Sequence, residues 1–190
     1  MATTTWNLDT THTDVIFAAK HMMVTTVRGK FGKLSGTLQL DPENPTAATG
    51  AFTIDAASLN TGVEQRDGHL RSPDFFDTGT YPEITFVSTS VTPSGGSDYV
   101  VTGDLTIRGI TKPVGLETEY LGLYASMGGA RRAGFHATTK INREDWGLTW
   151  NVGLEAGGWL VGKDIKLEID LAVEEAAGVT AETEMVAAAA

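Results

Sequence analysis

Cysteine is absent from the 190-residue chain, which removes disulfides, thiol nucleophiles and thiolate metal sites together. The compartment stays open on that count, because a cysteine-free chain persists in either redox environment. No apolar run approaches the roughly 18 residues of a membrane-spanning helix. The opening MATTTWNLD has neither a basic n-region nor an apolar h-region, so the expectation is a cytoplasmic protein without a Sec signal peptide. Basic residues are few: 14 Lys and Arg against 24 Asp and Glu give a net charge of −10. That average field repels phosphate polyanions, so no nucleic-acid partner is expected. A polybasic face for anionic membranes is disfavoured by the same average.

Catalytic signatures are missing as well. There is no GxSxG elbow, no GxGxxG or Walker spacing, and no HExxH or HxH. The four histidines, His12, His21, His69 and His136, are spread along the chain, and lone histidines are usually structural hydrogen-bonders, so no metal site is expected. Helical periodicity is scarce too. What the chain has in its place is alternation. Strands are predicted over Asp14–Ala18, Thr26–Leu40, Ala48–Asp55, Ile84–Thr92, Asp98–Ile107, Lys112–Leu123, Arg132–Ile141 and Lys163–Val173. Within Thr26–Leu40 the apolar phase flips: Val27, Gly29 and Phe31 share one face, then Leu34, Gly36, Leu38 and Leu40. One extra residue does this, so a β-bulge is placed at Gly32-Lys33. PSGGSD, RGITKP and SMGGAR read as short hairpin connections. Short helices are predicted only in the Lys20–Val27 and Val63–Asp77 segments, the latter with Ser72-Pro73-Asp74 opening a second turn.

These elements describe an all-β domain of eight antiparallel strands over residues 1–175. The Ala/Glu-rich tail, 176–190, has no core stripe and reads as disordered. A sandwich or a barrel would bury one face; the bulged strand and Gly29, Gly32, Gly36, Gly103 and Gly115 favour closure into a barrel. Such a barrel is just wide enough for its own side chains or one small ligand. The candidate lining is Phe17, Phe31, Phe52, Ile54, Ile84, Phe86, Leu105, Ile107, Leu116 and Phe135. KHMM places His21 beside Met22, where an imidazole in a greasy mouth would meet a ligand's polar head.

The stretch VEQRDGHLRSPDFFD (63–77) offers two readings. Arg66, Asp67 and His69 form an acid/base set, or Leu70, Phe75 and Phe76 cap the barrel while the charges satisfy backbone groups at the turns. A hydrolytic site would still need a nucleophile or metal, and no recognisable spacing supplies one.

Taken in order, WNLDTTHTDVIFAAKHMMVTTVRGKFGKLSGTLQLD, IDAASLNTGVEQRDGHLRSPDFFDTGTYPEITFVSTSV, GDLTIRGITKPV and INREDWGLTWN resemble the YceI-like family, over roughly Trp6 to Val173. The resemblance implies a lipocalin-like barrel of bacterial type that carries or stores a long amphiphilic lipid, a polyisoprenoid or isoprenoid quinone. It also implies no catalytic residues, no cofactor beyond a bound lipid, and a homodimer. Many members of the family are secreted or periplasmic, unlike the expectation from this N-terminus. A stress-related scaffold barrel with a filled core, and an enzyme acting on an isoprenoid, are the alternatives.

Overall fold

A computed structural model describes residues 3–125 and 130–176, and alternation has produced strands almost throughout. In chain order these are β1 (Thr4–Leu8), β2 (Asp14–His21), β3 (Thr25–Phe31), β4 (Leu34–Leu40), β5 (Thr49–Asp55) and β6 (Leu59–Asn60). After the helix α1 (Glu64–Arg71) come β7 (Glu83–Gly95), β8 (Asp98–Ile107), β9 (Ile110–Ala125), β10 (Arg131–Asn142) and β11 (Val161–Glu175). Every ladder is antiparallel, and the β1–β11 pairing closes the sheet on itself. Two staves of the barrel are broken strands. β1 and β2 lie end to end against β11, Leu8 beside Val173 and Asp14 beside Asp170. β4 pairs with β1 and β3 with β2. Counted by stave, the wall is an eight-stranded barrel, as the sequence predicts. The tail from 177 and most of the SMGGAR connection lie outside the described residues.

The predicted bulge at Gly32-Lys33 separates β3 from β4. Phe31 and Leu34 both face inward across it, and the two bulged N–H groups donate to Ser58 Oγ at 3.1 Å each. Backbone donors stranded by the extra residue are thereby satisfied. The break between β1 and β2 is managed in the same manner by buried Thr13, whose hydroxyl accepts from the Ala172 N–H at 3.1 Å.

β1 has no counterpart among the predicted strands, yet it completes the closure. Trp6 is fully buried and donates Nε1–H to the Leu40 carbonyl at 3.3 Å. The Arg131 guanidinium lies 5.5 Å above its ring and forms a two-pronged ion pair with Glu175, the residue registered opposite Trp6. That guanidinium holds the Glu175 carboxyl below its ordinary value.

The helix predicted over Lys20–Val27 is not formed. β2 runs to His21, the chain turns through Met22–Val24, and β3 begins at Thr25. The Val24 N–H donates to the His21 carbonyl at 3.2 Å, and Met22 and Met23 both take positive φ, +50° and +63°. Thr25, Thr26 and Val27 favour a pleated strand, and ladder pairing with Ala19, Lys20 and His21 outweighs the helical preference of the methionines. In Val63–Asp77 the helix covers only Glu64–Arg71. The segment after Ser72 turns back, with the Asp77 and Phe75 N–H groups on the Ser72 carbonyl, and does not begin a second helical turn.

Two expectations follow. Positive φ at consecutive central turn positions suits Asn-Gly far better than two methionines; the double substitution Met22→Asn/Met23→Gly raises unfolding stability by about 1–2 kcal/mol in denaturant titration. The depressed Glu175 pKa means that its contribution is complete above the ordinary carboxylate value and is lost as pH falls through the folded one. The melting temperature therefore falls on acidification, and Glu175→Gln flattens that part of the profile.

Candidate functional site

Inward side chains from all eight staves surround a cavity of about 280 Å³ that runs through the barrel. The volume sits at the small end of ligand pockets, roughly 300 Å³ and upward, which suits one narrow chain better than a bulky ring system. Its wall follows from the alternation of each strand, and its hollowness from paired residues on neighbouring strands. Phe17 is registered opposite Gly29 and Phe52 opposite Gly36. A methyl group on Gly29 would fall 2.4 Å from Phe17 Cζ, one on Gly36 2.3 Å from Phe52 Cδ1, and one on Gly103 2.4 Å from Phe86 Cζ. Each ring thus occupies the space that a side chain on the glycine of the adjacent strand would take. It covers the wall instead of crossing the lumen.

Phe17, Phe31, Phe52, Ile54, Leu70, Phe75, Phe76, Ile84, Phe86, Leu105, Ile107, Leu116 and Phe135 all line this cavity. His21 and Met22 do not. The hairpin replaces the expected helix and carries them to the barrel rim, with Met22 on the outward turn, away from the greasy mouth that KHMM suggests. Several lining residues escaped the sequence reading, among them Trp146, Leu148, Tyr120 and Arg143.

Among the described residues Arg143 is the one charged side chain on the wall. It sits at the start of a short 3-10 turn, Arg143–Trp146, and is only 4% exposed. Its Nε donates to the Gly162 carbonyl at 3.0 Å and Nη1 to the Leu148 carbonyl, while the guanidinium lies 5.8 Å from the Phe75 ring centre. Burial lowers its pKa, and the neighbouring Glu144 only partly opposes this. Toward the other end Ser88, Tyr99, Thr118 and Tyr120 are among the polar members of the lining; burial raises the Tyr120 pKa, so its hydroxyl stays protonated and able to donate.

The charged segment 63–77 closes the Arg143 end. Buried Asp67 accepts from the Thr61 N–H at 2.9 Å and from its hydroxyl, and Arg66 donates to Thr61 Oγ1 at 2.7 Å and to its carbonyl at 3.0 Å. Arg71 donates to the Ala57 and Leu59 carbonyls at 2.9 and 2.8 Å. His69 meets Asp74 at 2.8 Å, its ring edge-on to Phe75 and Trp150. Phe75 and Phe76 cover the lumen beneath. Asp67, His69 and His21 each have separate surroundings and do not converge. The segment is a plug whose charges fasten backbone turns.

Outside the wall, cross-strand register gathers His136, Glu168 and Asp170, with one ligand atom from each within 4.8 Å of the others. The hydrogen bond that the His136 ring donates to Asp170 raises the His136 pKa, which opposes the deprotonation that metal ligation requires.

The architecture is therefore a hollow, closed antiparallel barrel with an apolar lumen, one buried cation at its plugged end and hydroxyls at the other. A model of the YceI-like domain matches residues 6–173. A UPF0312 protein of Staphylococcus aureus is 39% identical over 166 residues, spanning 87% of this chain and 94% of its own. Among solved structures, Burkholderia cenocepacia BcnA superposes with a TM-score of 0.74 at 28% identity, covering 87% of this chain and 98% of that one. A polyisoprenoid binding domain from Saccharophagus degradans shares the fold at a TM-score of 0.69 and 18% identity, over 90% and 98% of the two chains. The chain belongs to the YceI-like family.

Gly36→Val tests the hollow wall. The added carbons drive Phe52 off its strand and into the lumen, so stability falls by about 1–3 kcal/mol. A crystal structure of the variant shows the ring across the cavity.

Proposed function

We propose that the protein binds a long amphiphilic lipid, of polyisoprenoid or isoprenoid-quinone type, inside the barrel, and carries or stores it. The observation that supports this is the lumen itself: an apolar cavity whose wall, among the described residues, carries one charged group. Burying hydrocarbon is worth roughly 0.8 kcal/mol per CH₂. A twenty-carbon tail thus offers on the order of 10 kcal/mol before ordering and association costs are subtracted. A single head-group hydrogen bond adds about 1 kcal/mol net. Tail length dominates affinity, and Arg143 favours an oxygen-bearing head at the plugged end, where a buried cation is short of negative partners. The polyisoprenoid-binding fold relative points the same way.

The cavity weighs against the scaffold reading, which requires a filled core. The separate surroundings of Asp67, His69 and His21 weigh against an isoprenoid-processing enzyme. A homodimer, which the family resemblance suggests, belongs to the same proposal.

Native mass spectrometry of protein purified from its own host reads ligand mass and stoichiometry together. The expected spectrum carries a bound species of prenyl-type mass, recoverable in organic extract and absent from Gly36→Val. Repeatedly clean extracts and an unliganded mass overturn the proposal.

A further inference from the structure

The charge average of −10 hides a strong segregation. From Val15 to Leu40 the chain has no Asp or Glu, but it has Lys20, Arg28, Lys30 and Lys33. This stretch is the β2–β3 hairpin and the strand after it. On the hairpin's outer face Lys30 pairs with Asp14 at 3.5 Å, whereas Lys20 and Arg28 have no ion-pair partner among the described residues. Its tip is apolar and open to solvent: Met22 is 47% exposed, Met23 61% and Val24 77%.

A second tip lies against the first. The Met22 N–H donates to the Leu160 carbonyl at 2.8 Å, and the Gly158 Cα hydrogen points at Met23. Residues 151–160 form a small hairpin-like excursion, bridged between Gly153 and Trp159, with Val152 46% and Trp159 49% exposed. Glu155 is the one carboxylate between Asp145 and Asp164. Two neighbouring convex tips therefore present Met, Met, Val, Val and Trp together, with unpaired cations behind them. The turn also holds its methionines in a left-handed backbone that Asn-Gly would adopt without strain. Folding alone would choose the other residues.

We infer that this paired tip docks the barrel onto an anionic lipid bilayer, its methionines and Trp159 entering the interface and Lys20 and Arg28 reaching the head groups. Trp is the residue that settles at such an interface, and apolar tips backed by cations are what interfacial anchors present. Glu155 on the second tip and the carboxylates of the 63–77 segment at the same end oppose the electrostatic attraction, so the apolar residues of the two tips carry the larger share of the docking. The patch lies at the plugged end, so docking turns α1 and the 63–77 segment toward the lipid. The inference stands on the outer surface and does not require the lumen to hold a lipid.

Co-sedimentation with vesicles of pure phosphatidylglycerol, compared with pure phosphatidylcholine, tests it. The full chain is expected to sediment with the first and only weakly with the second. Lys20→Gln and Arg28→Gln each reduce binding about fivefold, and added salt has the same direction of effect. Met22→Asn/Met23→Gly weakens binding about tenfold while raising the melting temperature, a combination that a merely structural role does not produce. Brominated acyl chains quench the emission lost in Trp159→Phe. Absence of sedimentation overturns the inference, as does binding that survives the tip substitutions or is lost with Tyr124→Ser on β9. Native mass spectra taken in parallel separate the two proposals: docking without a bound lipid overturns only the lumen reading, and a bound lipid without docking overturns only this one.

Discussion

A phenylalanine lying on a glycine of the next strand is the contact on which the rest of this barrel depends. At Phe17 over Gly29 and Phe52 over Gly36, the missing Cβ leaves just enough depth for an aromatic ring. The ring gains part of its burial from that backbone, and Phe17 packs in addition on the Phe31 ring, 5.4 Å between centres. An eight-stranded barrel whose aromatics pointed straight inward would fill itself. Placed against the glycines, these rings leave the axis open, so the same pairs that hold the strands together set the lumen's bore.

The charges of this protein do a different task from the one their clustering suggests. Arg66, Arg71, Arg108 and Arg143 all direct N–H groups at main-chain carbonyls, and buried Asp67 receives a main-chain N–H. Loops that close a barrel end carry carbonyls with no strand partner, and in an apolar setting each one unmet costs about 1–3 kcal/mol. Guanidinium groups with several donors answer two or three carbonyls at once. Acid and base side chains crowd into one segment because its backbone has many free ends, which is why that segment imitates a catalytic cluster.

Strand alternation made the staves, the bulge and most of the lumen legible, because a period of two assigns each inward residue directly. Phe31 and Leu34 on either side of Gly32-Lys33 show how far that logic reaches. It failed where the decisive partner lies far along the chain. β1 is a five-residue stretch, and its place is fixed by Leu38, Leu40 and Glu175 more than by its own pattern. Arg143 reads as a surface turn residue in INREDW, and only carbonyls from 148, 161 and 162 bury it. Met22 and Met23 favour helix locally, and ladder pairing on both sides forces them through a turn for which neither is suited.

The two-residue strand β6 has a consequence for how the wall comes apart. One edge of it is paired with Lys30 and Phe31; toward β7 no ladder continues among the described residues, and Arg71 occupies the Ala57 and Leu59 carbonyls. Every seam between the eight staves carries a main-chain ladder, and only the opening beside β6 is closed by side chains. The contacts that fasten α1 here are guanidinium bonds to carbonyls, so none of the long ladders depends on them.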